Sequence, residues 1–327
     1  MQKAEPYPYD TNFVAQCREM QSKYREEILC IPLRPYIVQN SRIKDYGRVF
    51  LLGNYISGGE ESGANFLEEY IFYHAKERIR DRKPYETFDE DRMFNNLLSS
   101  QPMAFNLFCP LRKLLDEDRK AATEAIRKAL PNYSIAEVTK IELEFIPSNY
   151  MELTGDKSAM DAIIEYIGED GKEGFIAIET KYSENLGSNT ASFMKLSGEK
   201  YEEKRKRYFE KMHDLELFLP DIESKLRNND KEVKLTQLYR NFILSETYGK
   251  IGKKDRILIS NSVVLAPAGH PSTEIEIETL QSQLLPHAKD KIRKVILEDF
   301  VDSLIEETGG EYKKVFEKFK KRYLDWK

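Results

Sequence analysis

The stretch from Met160 to Tyr182 constrains this chain more than any other. Two apolar runs, Asp161–Ile167 and Gly174–Tyr182, flank the turn-forming residues Gly168-Glu169-Asp170-Gly171-Lys172. Runs rich in β-branched residues on either side of a Gly/Asp turn predict a β-hairpin. Residues two apart on a strand share a face, so Glu179 and Lys181 project together while Ile178 and Thr180 face the other way. With the turn centred on Asp170, Asp161 and Glu179 lie nine residues to either side and therefore opposite each other. Directly paired residues hold their Cα atoms about 4.5–5.5 Å apart. A slip of one residue would turn the aspartate to the opposite face.

In this register two carboxylates and one ammonium meet at a strand terminus, just beyond the apolar part of the sheet. Like charges so close are unfavourable unless a cation neutralises them. Oxygen donors with room for water suit Mg²⁺, with Mn²⁺ as a substitute. The Glu-x-Lys pattern by itself is cheap: it begins at Glu179, Glu202, Glu223, Glu232 and Glu311. The last four lie in highly charged stretches and read as solvated helix faces or turns. Only Glu179 follows an apolar strand, Phe175-Ile176-Ala177-Ile178, and only it has an aspartate across a hairpin. A surface ion pair is the plain alternative for Glu179 and Lys181, and the metal-site reading explains more of the pattern.

Around the hairpin the pattern changes from helix to strand and back. Helical spacing predicts helices over Asn12–Cys30, Asn65–Arg80, Arg92–Leu98 and Asp116–Leu130, the last ended by Pro131. Val138–Ile146 alternates, with Ile141, Leu143 and Phe145 against Glu142 and Glu144, and predicts another strand. Further helices are expected over Tyr201–Phe218 and Leu235–Glu246, a strand over Arg256–Ala266, and closing helices near Leu280–Glu306 and Tyr312–Trp326. This order predicts an α/β fold: a mixed central β-sheet flanked by helices, with helical N- and C-terminal additions. The expected organisation is a mainly helical region over 1–130, a core over 131–270 and C-terminal helices over 271–327, packed as one compact unit.

Composition excludes several classes. The chain has 327 residues, 40% hydrophobic and 11% aromatic, enough for a large core and too apolar for disorder. No apolar run approaches the roughly 18 residues of a membrane span, and no apolar signal core follows a basic start. The three cysteines, Cys17, Cys30 and Cys109, are widely spaced and odd in number. They suit a reducing cytoplasm rather than a disulfide framework, and Cys30 and Cys109 are expected to be buried thiols. The four histidines are scattered, which argues against zinc. A formal net charge of −5 counts against coating nucleic acid over the whole surface, but leaves room for a local basic cleft.

At Asp161, Glu179 and Lys181 the sequence resembles the PD-(D/E)XK nuclease superfamily. Met160 stands where a proline is usual, a common departure in that superfamily. Ser158-Ala159-Met160-Asp161-Ala162, Ile178-Glu179-Thr180-Lys181-Tyr182-Ser183-Glu184 and Ser99–Phe108 also resemble a bacterial family of restriction-endonuclease-like proteins, over about Gly63 to Ala266. The resemblance implies a restriction-endonuclease-like core and phosphodiester hydrolysis. Asp161 and Glu179 would hold Mg²⁺ with help from the backbone carbonyl of Thr180. Lys181 would orient or deprotonate the attacking water, or stabilise charge at the phosphate.

Glu144 is the first candidate for a further metal-site carboxylate, because its strand precedes Asp161 and can pair beside it. Glu68 and Glu69 come second and read more simply as surface residues. For DNA, the segment with Lys195, Lys204 and Arg207 follows the active strand and could contact phosphates, although glutamates among these cations equally suit a solvated helix. Gln237 and Arg240 lie on a later helix and are further candidates for facing the cleft. Asn241 occupies the tyrosine place of the Gln-x-x-x-Tyr motif found in one branch of these nucleases, so that motif is not matched. The leading expectation is a Mg²⁺-dependent deoxyribonuclease in restriction or defence. A repair or recombination nuclease, or a non-cleaving nucleic-acid-binding protein with a nuclease fold, are the alternatives. A homodimer would suit cleavage of both strands.

Overall fold

A computed structural model describes residues 3–86, 88–155, 157–186, 190–228, 233–251 and 258–326. Helix α1 (Asn12–Tyr24) starts at Thr11, whose hydroxyl accepts from the Val14 amide, and runs into a π-helical turn at Arg25–Leu29. A short antiparallel ribbon follows, β1 (Tyr36–Ile37) with β2 (Val49–Phe50). Then come α2 (Gly59–Ser62), α3 (Glu69–Arg80), α4 (Glu90–Asn95), α5 (Ser100–Glu117) and α6 (Arg119–Ala129). The helical pattern expected over Asp116–Leu130 is thus split at Asp118, which caps α6 by accepting from the Ala121 amide at 3.0 Å.

Helix α5 was not among the expected helices. Its residues from Pro102 to Leu111 are all buried and Pro110 lies inside it. A helix surrounded by protein has no polar face to set a 3.6-residue period.

The central sheet is formed by β3 (Ile135–Phe145), β4 (Met160–Gly168) and β5 (Glu173–Thr180), joined later by two more strands. After β5 come α7 (Glu199–Leu215), α8 (Ile222–Arg227) and α9 (Gln237–Ile251), then β6 (Ile259–Ala266). The first residues of the strand expected from Arg256 lie outside the described residues. The chain ends with α10 (Thr273–Ser282), β7 (Ile292–Ile296), α11 (Leu297–Glu307) and α12 (Gly310–Tyr323). The β7 strand breaks the helical stretch expected from Leu280, because Ile292, Val295 and Ile296 find β6 as a parallel neighbour. Strand order is β3-β4-β5-β6-β7, antiparallel through β5 and parallel thereafter.

The hairpin has the register that the turn predicts: Ala162 pairs with Ile178 and Ile163 with Ala177. Its loop closes with the Gly168 amide on the Lys172 carbonyl at 2.8 Å, and Gly171 takes a left-handed φ of 77°. A three-residue loop with glycine at that point is a favoured hairpin connection.

Each sheet face packs on a different set of helices. Ala162, Ile164, Ile176, Ile178 and Leu265 share a core with α5, α6, α11 and α12, so residues from both ends of the chain enter one cluster. Ile163, Phe175 and Ala177 pack on the other face against Leu244 and Tyr248 of α9. Each such large apolar side chain contributes about 1.5–3 kcal/mol on full burial. Helix α9 lies close to β6 because Gly249 has no side chain; a Cβ there would stand 2.7 Å from the Ser260 Cβ. Cys17 and Cys109 are buried, but Cys30 is exposed, contrary to expectation. The chain turns left-handed at Cys30, with φ 55°, as the π-helical turn ends, and this points the thiol outward. Among the described residues no helix is long and apolar enough to cross a membrane.

Candidate active site

Three strand ends meet at one end of the sheet. β4 begins with Met160-Asp161, β5 ends with Glu179-Thr180, and the pairs Leu143–Ala162 and Phe145–Met160 bring Glu144 on β3 beside Asp161. A cleft of about 870 Å³ opens there, lined by Glu144, Asp161, Glu179 and Lys181, with Gln101, Arg92, Lys157, Glu184 and Gln237 on its walls. Glu144, Glu179 and Lys181 are only 8%, 5% and 7% exposed, so these charges are held mostly out of water.

Each side chain is held by specific donors. Lys181 Nζ lies 2.6 Å from Glu179 Oε1, and Asn241 Nδ2 donates to Glu179 Oε2 at 2.6 Å. Gln237 Oε1 accepts from Lys181 Nζ at 3.4 Å. The amide and hydroxyl of Thr180 both donate to Asp161 Oδ2, at 2.7 and 2.8 Å. Gln101 Nε2 donates to Glu144 Oε1 at 2.8 Å. Glu144 itself has a left-handed φ of 51°, which costs a non-glycine residue on the order of 1 kcal/mol. The Arg78 guanidinium braces that backbone by donating to the Glu144 carbonyl at 2.7 Å and, through Nε, to the Leu143 carbonyl at 3.4 Å.

The electrostatics follow from burial and crowding. Burial pushes the Glu144 carboxyl up to about 7, with Glu179 adding to the rise against the Gln101 hydrogen bond. Burial also raises Asp161 well above the usual range, and the neighbouring Glu179 and Glu144 raise it further. Burial alone would lower Lys181, but Glu179, Asp161 and Glu184 outweigh it and keep the ammonium charged. Glu184 stays low despite its burial, because Lys181, the Ser100 amide and Arg92 favour its charged form. The centre therefore gathers more carboxyls than its one lysine can balance, and Glu144 and Asp161 are pushed toward their neutral forms. Among the described residues no three Asp, Glu, His or Cys side chains are grouped so as to hold a metal ion. An open group of carboxylates suits Mg²⁺, which usually keeps several waters and takes one or two protein carboxylates.

A family model described as PD-(D/E)XK nuclease superfamily matches residues 8–325, nearly the whole chain. The chain belongs to the PD-(D/E)XK nuclease superfamily. No curated protein and no solved structure matches it.

Within this PD-(D/E)XK chain, the residues singled out from sequence fall into two groups. Asp161, Glu179, Lys181, Thr180, Glu144 and Gln237 come together at the cleft. Lys195, Lys204, Arg207 and Arg240 do not line it. Lys195 is exposed after a short 3₁₀ turn, Lys204 sits over the Phe193 ring, and Arg207 packs against Gly155. Arg240 reaches Ser158 Oγ at 3.4 Å. A run of cations in sequence carries no direction until packing supplies one. Glu68 pairs with Lys318 at the surface, 2.6 Å away. Tyr182 is fully buried and accepts from Gln21 Nε2, which makes it a core residue. Sequence reasoning gave no role to Arg78, Gln101 or Asn241. The available signal was the four-residue step from Gln237 to Asn241, which places both on one face of a helix.

Proposed function

We propose that this chain is a divalent-metal-dependent deoxyribonuclease that hydrolyses phosphodiester bonds. The observation that carries the reading is the meeting of Glu144, Asp161 and Glu179 with Lys181 at one sheet end, in a cleft open to solvent. Asp161 and Glu179, with Glu144 and the Thr180 carbonyl, would hold Mg²⁺ or Mn²⁺. Such an ion lowers the pKa of a bound water and neutralises charge building up on a phosphate.

The remaining work falls to side chains of the chain. Lys181 is held as an ammonium, so it acts as a donor: it orients the attacking water and stabilises charge on the phosphoryl oxygens. That favours the orienting role over proton abstraction. Glu179 and Gln237 hold the ammonium from two sides. Thr180 keeps Asp161 turned along the strand end through its two donors. Arg92 and Lys157 stand on the cleft walls, where backbone phosphates would pass. A cytoplasmic setting and a role in restriction or defence against foreign DNA follow from the cysteine usage and the motif resemblance, and a homodimer would allow both strands to be cut.

The test is cleavage of supercoiled plasmid by the wild type, Asp161→Ala and Lys181→Ala, each with Mg²⁺, Mn²⁺ or EDTA. Nicking or linearisation that requires metal and falls about a hundredfold or more in both variants is expected. Failure of the wild type on plasmid, single-stranded DNA and RNA would remove the nuclease reading.

A further inference from the structure

Helix α9 carries the two side chains, one turn apart, that grip the Glu-x-Lys pair. Gln237 takes the lysine end, while Asn241 Nδ2 donates to Glu179 Oε2. Asn241 is 9% exposed. Its amide has one favourable orientation, because Nδ2 attracts the carboxylate whereas Oδ1 would repel it. Oδ1 is then left facing the interior, where it has no hydrogen-bond partner.

A second buried polar atom is in the same position: Ser262 Oγ on β6 also lacks a partner. Asn241, Ser262 and Glu179 all line one narrow cavity of about 20 Å³, whose other walls include Met160, Ala177 and Val264. A cavity holds a water once it offers roughly 10–15 Å³ and two to four polar neighbours. This cavity meets both conditions, and leaving two buried polar atoms unbonded is unfavourable.

We propose that Asn241 is a positioning residue for the Glu179 carboxylate, held in its orientation by one water that bridges Asn241 Oδ1 to Ser262 Oγ. The inference rests on the metal-nuclease reading. An ion pair with Lys181 holds one oxygen of Glu179 and a hydrogen bond from Asn241 the other, so both oxygens of the carboxylate are restrained. A carboxylate restrained in this way would offer its remaining lone pairs to a cation in one orientation. Through the water, the orientation is set by β6, the parallel neighbour of the strand that carries Glu179. Groups that orient a metal-binding side chain in this way commonly change metal affinity about 10–100-fold when removed.

The experiment is calorimetric Mn²⁺ binding to the full chain without nucleic acid, with the thermal midpoint recorded for each protein. The variants are Asn241→Ala, Asn241→Leu and Ser262→Val. Leucine keeps the branched shape and the number of heavy atoms of asparagine while removing both hydrogen bonds, and alanine removes them without added bulk, so the pair guards against a simple loss of folding. Valine fills the cavity and displaces the water. A Kd raised about tenfold or more in both Asn241 variants is expected, with a smaller rise, about threefold, for Ser262→Val. A merely structural role would lower the midpoint and leave the Kd of the folded protein unchanged, which overturns the positioning role. A wild-type Kd in Ser262→Val, beside a weakened Asn241→Ala, overturns the water link. Absence of Mn²⁺ binding by the wild type sinks the metal-nuclease reading itself, and this inference with it.

Discussion

Glu144 concentrates the conflict that the site creates. Its carboxyl is pushed up to about 7 by burial and by Glu179, while a glutamate in the unfolded chain titrates near its ordinary value, about 4.3. Without metal, the folded protein therefore binds the extra proton between those two pH values. Stability is greatest below the unfolded value, declines as pH rises through about 7, and levels off above it. The full loss from Glu144 is on the order of 4 kcal/mol, and Asp161, which shifts in the same direction, adds to it. Glu144→Gln keeps an acceptor for Gln101 and cannot ionise, so its urea unfolding in EDTA between pH 5 and 8 should flatten. A decline as steep as that of the wild type would clear Glu144 of this role. Mn²⁺ competes with the same protons, so the stability it adds should be larger at pH 8 than at pH 6. Equal gains at both would argue against binding at these carboxylates.

At the scale of elements, Glu184 joins the end of the β5 segment to the start of α5. Its carboxylate accepts from the Ser100 amide at 2.8 Å and hydroxyl at 3.1 Å, and from the Tyr182 and Ser183 amides at 3.3 Å each. Arg92 adds an ion pair at 2.8 Å, but its side chain is 47% exposed. The half-buried hydrogen bonds should therefore dominate, since an exposed pair is worth under about 1 kcal/mol. Glu184→Ala is expected to lower stability by about 2–3 kcal/mol and Arg92→Ala by less than about 1 kcal/mol. Equal losses in urea unfolding would contradict this ranking. The junction was only half legible in the sequence. The hairpin could be read because alternation and the Gly168–Lys172 turn are local signals, and the pairing of β3 with β4 puts Glu144 beside Asp161, as its place on the preceding strand suggested. Helix α5 could not, since burial on all sides and Pro110 hide its period. Strand β7 depends on pairing with a distant partner, and the contact of Asn241 with Glu179 spans 62 positions. The basic segment around Lys204 shows only its charge in the sequence, and the seat of Lys204 over the Phe193 ring comes from packing.

Across the whole molecule, the chain's two ends are tied together by a buried polar network beside the active strand. Gln21 on α1 donates to the Tyr182 hydroxyl at 3.0 Å and to the Arg322 carbonyl at 2.9 Å. Arg322, fully buried on α12, donates to the Asn65 carbonyl at 2.9 Å and also to the Asn65 side-chain oxygen. Asn106 on α5 closes the network on the Asn65 carbonyl and the Tyr323 hydroxyl, at 3.0 Å each. The Arg322 guanidinium also lies over the Tyr24 and Tyr323 rings, 5.0 and 4.6 Å from their centroids. Removing it would leave the Asn65 acceptors without this donor inside a core that also holds Phe105, Ile178 and Phe319. Arg322→Ala is therefore expected to cost about 3 kcal/mol or more, from unmade hydrogen bonds and lost packing together. Because one apolar cluster contains residues of α5, the sheet and α12, unfolding in urea should remain a single transition with a lowered midpoint. Separate loss of the C-terminal helices, seen as an early transition that leaves the sheet intact, would show that the two chain ends fold independently of the nuclease core.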